Sequence, residues 1–352
     1  MRIGVNALYM LPGGVGGTEI YLRELLAALA RIDSVNEYFV FTNFETGADL
    51  VPKQTNFHWK PQAVHGRFRP GRILWEQTVL PLEAARYGIE VLFNPGFTSP
   101  LMARCRCVTV FHDLQHKRHP ENFRRFDLPF WKLLLWASAR RSAGIIAVSE
   151  ATRADLERFY PFTRGRVLVA HHGVNPSFFA MDRSLMEDFV LCVSTLHPHK
   201  NLDRLVRAFA RRDREYRLVI AGMRGFYAAE IEKTIAERGA RVELTGWIPR
   251  EKLMGLYERA RAFVYPSRFE GFGMPVLEAM AAGLAVACSN IPALKEVAGD
   301  TAIYFDPESE EEMDRALDRV VGGEASGRER ARGFTWEACA EKTLAALTGG
   351  SG

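Results

Sequence analysis

Glu270 and Glu278 stand eight positions apart in the run Arg268-Phe269-Glu270-Gly271-Phe272-Gly273-Met274-Pro275-Val276-Leu277-Glu278-Ala279-Met280-Ala281-Ala282-Gly283. A carboxylate accepts hydrogen bonds from hydroxyls and repels phosphate. Between the two lies a glycine loop that opens a helix, with Pro275 suited to the first helical position and Gly283 to the helix end. Free N–H groups and the positive end of the helix dipole make such a loop an anion site. Hydroxyl, phosphate, hydroxyl is the layout of a nucleotide sugar. Alone, two glutamates at this spacing would be solvated side chains. The glycines and the flanking apolar runs, Ala262–Tyr265 and Leu284–Ala287, make them a candidate site.

Lys200 ends the stretch Ser194-Thr195-Leu196-His197-Pro198-His199-Lys200 before a helical pattern, and is a candidate point charge for a leaving diphosphate. His112 and Asp113 follow the apolar run Val108-Thr109-Val110-Phe111, where polar residues at the carboxyl end of a parallel strand meet ligand. The loop Gly13-Gly14-Val15-Gly16-Gly17 sits between a strand and a helix and suits a diphosphate or sugar, with Gly16 and Gly17 as candidates. Its spacing is not the dinucleotide fingerprint. His116 and His119 match no metal spacing and read as a solvated loop. His197 and His199, with a proline between and no carboxylate, read as non-metal too.

These groups need a scaffold, and the 352 residues supply two domains of ordinary size. Strands are expected at Ile3–Asn6, Tyr38–Thr42, Val91–Asn94, Cys107–Phe111, Gly144–Val148 and Val167–Ala170. A second series runs Phe189–Val193, Leu218–Ala221, Val242–Leu244, Ala262–Tyr265, Ala285–Ala287 and Ala302–Phe305. Helical patterns alternate with them, which indicates parallel α/β architecture. The division places a first domain at 1–174, a linker at 175–188 and a second domain at 189–334, with a last helix at 335–347 returning to the first domain.

A net charge of +4 is too small for a nucleic-acid binder of this length. The basic excess is local: seven Lys and Arg lie between Lys117 and Arg141 against Glu121 and Asp127. Phe126, Phe130, Trp131 and Trp136 interleave with them, a mixture that suits an anionic membrane surface as well as it suits a core helix with a basic outer face. Trp75, preceded by Arg67, Arg69 and Arg72, would extend that surface. The five cysteines fit no zinc spacing and read as reduced thiols. The first residues enter a strand at once, leaving no room for a signal peptide, and no apolar run approaches the roughly 18 residues of a spanning helix. A cytoplasmic protein is expected, peripheral on the inner face of the plasma membrane.

Taken together, Gly13–Thr18, His112-Asp113, Val148-Ser149-Glu150, His172-Gly173-Val174, Lys200-Asn201, Gly246-Trp247-Ile248 and Glu270 through Glu278 come in the order of the retaining glycosyltransferases of family 4. The chain resembles that family over most of its length, nearest to bacterial mannosyl- and rhamnosyl-type transferases of O-antigen or exopolysaccharide synthesis. The resemblance implies the GT-B fold, two doubly wound Rossmann-like domains facing across a cleft. It implies that Glu278 accepts the ribose hydroxyls and Glu270 those of the transferred sugar. Phe272, Gly273 and Met274 would offer N–H groups to the diphosphate, Lys200 would neutralise the leaving phosphate, and Gly246, Trp247 and Ile248 would border the base. His112 would hydrogen-bond the sugar from the opposite domain.

Thr195 and His199 occupy places where the family often has a basic residue, and Met223 one where a lysine is frequent. Either Arg224 compensates or diphosphate binding is weaker than usual, with a partly protonated His199 as a further contributor. Thr195, His199 and Arg224 stand as donor-side candidates. Asn94, Phe97 and Asp113 are the acceptor-side candidates. The implied partners are a nucleotide-diphosphate sugar, GDP-mannose first and a UDP-hexose next, and a saccharide acceptor carried on a polyprenyl diphosphate. Lys200 and the helix dipole would replace a divalent metal, and no cofactor is expected. A nucleotide-sugar 2-epimerase, a sugar phosphorylase and a non-catalytic nucleotide-sugar binder remain as alternative readings.

Overall fold

The computed structural model describes residues 1–13, 16–323 and 327–349. They form two compact units, one of residues 1–173 with the chain from Thr335 onward, the other of Val174–Phe334.

The first unit is built on seven parallel strands: β1 (Arg2–Ala7), β2 (Glu37–Thr42), β3 (Phe57–Pro61), β4 (Val91–Asn94), β5 (Arg106–Phe111), β6 (Gly144–Ala147) and β7 (Val167–Val169). Helices α1 (Gly17–Ile32), α2 (Arg69–Arg86), α3 (Gln115–Arg118), α4 (Asp127–Arg141) and α5 (Glu150–Phe159) connect them. The spatial order is β3-β2-β1-β4-β5-β6-β7, so the direction of winding reverses between β1 and β4. Central strands in such a sheet are covered on both faces and read as continuous apolar runs. Ile3, Val5, Leu92, Phe93, Val108 and Val110 are accordingly fully buried.

The second unit has six parallel strands: β8 (Glu187–Val193), β9 (Arg217–Ala221), β10 (Val242–Gly246), β11 (Ala260–Tyr265), β12 (Ala285–Ser289) and β13 (Ile303–Phe305). Their order is β10-β9-β8-β11-β12-β13, with the reversal between β8 and β11. Helices α6 (Leu202–Phe209), α7 (Ala228–Arg238), α8 (Arg250–Arg259), α9 (Met274–Ala281) and α10 (Pro292–Ala298) form the crossovers, and α11 (Glu310–Val321) and α12 (Arg328–Ala331) follow the last strand. The final helix, α13 (Trp336–Thr348), belongs to the first unit and packs along α1. Arg31 Nη2 meets Glu337 Oε1 at 2.6 Å across that contact.

Every strand anticipated from the apolar runs is present, with ends that differ by a residue or two. The sequence reading missed β3. It is an edge strand paired only with β2, buried on one side, so Phe57-His58-Trp59-Lys60-Pro61 needs no apolar run, and Pro61 at its end withholds no ladder bond. Residues 175–188, read as a linker, hold a 3₁₀ turn at Pro176–Ala180 and the first residues of β8. Trp75 does not extend the basic surface: its ring packs on the core cluster of Leu8, Phe41 and Leu80, and its Nε1 donates to Gln62 Oε1 at 3.1 Å. His116 is not in a solvated loop either. It is buried on α3, with Nε2 2.8 Å from Tyr160 Oη.

Gly173 lies where the returning chain passes closest. A Cβ there would stand 2.2 Å from Trp336 N and 2.5 Å from Thr335 C, both backbone atoms that cannot swing away. Gly173→Ala should therefore cost about 1–3 kcal/mol, as overpacking does. The check is the urea midpoint of unfolding, expected to fall; an unchanged midpoint would mean that α13 shifts without penalty.

Candidate active site

In the second unit the loops after β8 and β11, the two strands at the reversal point, are stitched together. Arg268 N donates to His199 O at 2.8 Å, and Ser267 Oγ donates to the same carbonyl at 3.2 Å. Asn201 takes up a left-handed conformation (φ 59°), which asparagine tolerates, and its Nδ2 donates to Pro266 O at 3.1 Å and Pro307 O at 2.7 Å. These bonds fix the residue before it. Lys200 Nζ lies 2.7 Å from Glu270 Oε1 and 3.1 Å from Tyr265 Oη, with the lysine and glutamate side chains only 16% and 12% exposed.

Burial alone would raise the Glu270 carboxyl, but Lys200, His199 and the hydrogen bonds from Lys200 and Ser267 outweigh it and hold the group below its usual range. Burial and the Glu270 charge push the Tyr265 phenol well above its usual value, so it stays protonated. The result is a cation and an anion side by side at the mouth of the sheet.

Beyond Glu270 the chain reaches Gly273 (φ 111°), the N-cap of α9, a backbone state that glycine alone adopts readily. Glu278 lies one turn into α9, buried, and its Oε2 accepts from Tyr257 Oη at 2.9 Å. Phe272 is buried and Met274 is half-buried at the helix start. The two glutamates and the three loop residues thus lie on one loop-and-helix segment around the start of α9. Thr195 O accepts from His197 N at 2.9 Å, and the His199 ring stacks on His197 with centroids 6.0 Å apart. Gly246 ends β10, followed by exposed Trp247 and half-buried Ile248. Arg224 is exposed and pairs with Glu232, 3.1 Å between Nη2 and Oε2. The structure brings it to its own neighbouring helix rather than to Lys200 or Glu270.

In the first unit, His112 follows β5 and is buried, with Nε2 2.8 Å from Pro95 O. A carbonyl only accepts, so Nε2 carries the proton and Nδ1 is left as the acceptor of the neutral ring. Burial pushes the imidazole down to about 4, against a smaller opposing effect of the Pro95 bond. Phe97 has a positive φ (71°), rare for a bulky residue, and its ring lies 5.1 Å from His112. Asn94 ends β4 fully buried; its Oδ1 accepts from Asn6 Nδ2 at 3.1 Å and its Nδ2 donates to Leu92 O at 3.1 Å. It positions neighbours rather than facing solvent. Asp113 Oδ1 accepts from Gln115 N at 2.9 Å and starts the turn into α3. Gly16 caps α1 and Gly17 is its first residue, while Gly14 and Val15 lie outside the described residues.

The sequence reading named Asn201 within the Lys200-Asn201 motif but gave it no role, and it missed Tyr265 and Tyr257; the three orient Lys200 and the two glutamates. Tyr265 was adjacent to a recognised motif and had a local signal; Tyr257 sits mid-helix and had none. Glu76, inside α2, was missed as well. Among the described residues no group of three or more His, Cys, Asp or Glu is arranged to hold a metal.

Residues 177–333 match the family model described as Glycosyl transferases group 1, and residues 15–178 match that of Glycosyltransferase Family 4. The chain is 27% identical to the O-antigen chain mannosyltransferase B of Escherichia coli, over 92% of this chain and 93% of the relative. It is 39% identical to the GDP-mannose:cellobiosyl-diphosphopolyprenol alpha-mannosyltransferase of Xanthomonas oryzae pv. oryzae, over 28% of this chain and 26% of that one. Among solved structures, a sucrose-phosphate synthase from Thermosynechococcus elongatus superposes with a TM-score of 0.80 at 20% identity, covering 100% of both chains, a likeness of fold.

The buried neutral His112 has a consequence for stability. Its folded pKa of about 4 lies below the ordinary 6.5, so its contribution is fully present above pH 6.5 and is lost as pH falls toward 4. His116 and His172 share this direction. Replacing His112 by Asn should flatten the fall of the thermal midpoint between those two pH values. A slope equal to that of the wild type would show that His112 is not held neutral by burial.

Proposed function

Because the chain belongs to the family 4 glycosyltransferases with the GT-B fold, we propose that it transfers a mannose-type hexose from a nucleotide-diphosphate sugar to a saccharide hydroxyl. The acceptor in this reading is carried on a polyprenyl diphosphate, the anomeric configuration is retained, and no divalent metal takes part. The observation that carries the proposal is the Lys200–Glu270 pair beside the N-terminus of α9, at the reversal point of the second sheet. Open α/β sheets bind ligands there.

The chemistry follows from charge. As the bond between the sugar C1 and the phosphate oxygen breaks, negative charge gathers on the diphosphate. Lys200 and the first N–H groups of α9 stabilise it, and once the donor is bound they are held in place and need no further reorganisation as the bond breaks. When the phosphate arrives, Lys200 turns from Glu270 to the anion, and Glu270 is released to accept from hydroxyls of the transferred sugar. Glu278, oriented by Tyr257, accepts from the ribose. The acceptor oxygen bonds to C1 on the face that the phosphate leaves, and its proton passes to the departing phosphate oxygen. No enzyme nucleophile is required. His112, with Nδ1 as acceptor, contributes a hydrogen bond to a sugar hydroxyl.

Two observations support the choice of partners. The named relatives are mannosyltransferases, one of them acting on a diphosphopolyprenol-linked sugar. The first unit also carries a basic, apolar surface suited to anionic lipid: Phe126 is 96% exposed, Phe130, Leu133 and Trp136 are exposed on α4, and Arg124, Arg125 and Arg140 surround them. No helix of the described residues is long and apolar enough to cross a membrane.

Calorimetric titration with GDP, UDP and ADP in EDTA tests the donor site. One nucleotide should bind, with affinity that survives EDTA and is lost in Glu278→Ala. Binding that needs a divalent metal would overturn the charge assignment to Lys200, and no binding by any nucleotide would overturn the transferase reading. In a transfer assay from GDP-mannose, Glu270→Gln should lower turnover by about 100-fold or more, the scale of losing a transition-state contact. Its nucleotide affinity should change little, and turnover near that of the wild type would remove Glu270 from the site.

A further inference from the structure

At the reversal point of the first sheet, between β1 and β4, lies a polar cluster that the transfer chemistry above does not use. Glu76 on α2 is buried, and burial raises its carboxyl despite the donors around it. Its Oε2 accepts from Thr98 Oγ1 at 2.9 Å and from Asn6 Nδ2 at 3.3 Å, and its Oε1 from Gln77 Nε2 at 3.1 Å. Asn6 in turn joins Asn94, so the ends of β1 and β4 and the middle of α2 form one network.

Arg72 stands one turn before Glu76 on the same helix. Its Nε is buried and has no hydrogen-bond partner, and its guanidinium makes no ion pair within 4.0 Å with any described carboxylate. Glu76, the acid whose charge it feels, is already spent on Asn6, Thr98 and Gln77. Tyr9, on the loop after β1, is the other group beside Arg72; its ring lies so close over Gly96 that a Cβ there would stand 2.4 Å from it. Arg69, a turn earlier, is engaged, its guanidinium 3.9 Å over the Trp131 ring.

A buried donor without a partner costs free energy, and a guanidinium fork is shaped for two oxygens of one anion. We propose that Arg72 is the anchor for a phosphate group of the acceptor, held over the β1–β4 reversal point with Tyr9 beside it, while Glu76 positions the helix through Asn6 and Thr98. The inference rests on the transferase reading and goes further by naming the residue that reads a sugar diphosphate on the acceptor side.

The full chain, first saturated with the nucleoside diphosphate that it binds, is titrated with inorganic pyrophosphate. A further pyrophosphate should bind, about tenfold more weakly or worse in Arg72→Gln and with intermediate affinity in Arg72→Lys, which keeps the charge but not the fork. Nucleotide affinity should be equal in all three. Unchanged pyrophosphate affinity in Arg72→Gln, with nucleotide binding intact, would overturn the proposal, and so would tighter uptake of glucuronate than of pyrophosphate. The thermal midpoint reports folding, and Arg72→Lys decides if Arg72→Gln does not fold. Flotation with phosphatidylcholine vesicles carrying a polyprenyl diphosphate separates the two sources of the group. Arg72-dependent capture assigns a lipid-linked diphosphate; pyrophosphate uptake without capture assigns a soluble one. Failure of every nucleotide to bind the wild type would sink the transferase reading instead, and the titration, run on Lys200→Ala, would still decide whether Arg72 holds phosphate.

Discussion

The contact between Lys200 and Glu270 places opposite charges 2.7 Å apart in a setting that water reaches poorly, and much of the second unit serves to keep them there. Removing a charge from water is expensive, and a buried pair recovers that cost only when its geometry and remaining hydrogen bonds are good. Tyr265 supplies one of those bonds to the lysine, and the Ser267 and Arg268 bonds to His199 O hold the two loops in register. Breaking such a pair by deleting one partner leaves the other charge buried alone, a penalty of about 3–5 kcal/mol. The same arithmetic fits the proposed donor site, in which a phosphate takes over the lysine and hydroxyls the glutamate.

Both sheets put their polar groups at the same kind of place. In each, the strands wind outward in two directions from a central pair, β1 and β4 in one and β8 and β11 in the other. The loops at the carboxyl ends of such a pair lead away to opposite sides and leave a crevice. Asn6, Asn94, Thr98 and Glu76 gather at the first of these crevices; Lys200, Glu270 and Tyr265 gather at the second. Two different sets of polar groups are thus placed by one topological rule. The second crevice presents a matched ion pair, whereas the first keeps its carboxylate hydrogen-bonded below and leaves an arginine with spare donors.

The return of α13 to the first unit adds a constraint of a different kind. Its packing on α1 and the Arg31–Glu337 contact tie the chain's last helix to its first, so a unit whose strands end at β7 is completed by residues that follow the whole second unit. Gly173 makes the passage sterically feasible. Folding of the first unit therefore depends on a contact of high sequence separation, which costs loop-closure entropy and tends to slow folding.

The sequence by itself determined the alternation of strands and helices, because buried parallel strands must be apolar throughout and their ends are marked by Gly, Pro and polar residues. It also determined the glutamate–glycine–glutamate loop and Lys200, whose residue types and order carry their own chemical meaning. It was silent on β3, whose exposed edge imposes no apolar pattern, and on the burial of Glu76, and it misplaced His116 and Trp75, because all three look like ordinary polar or amphipathic positions along their helices. Nor could it show that Arg224 pairs with Glu232, that Tyr257 and Tyr265 orient the carboxylate and the lysine, or that Arg72 keeps its donors to itself. Each of those depends on which side chains meet across elements distant in the chain. Periodicity records only whether a residue faces inward, whereas partnership is decided by the register and crossing of packed elements, and those exist only once the chain has folded.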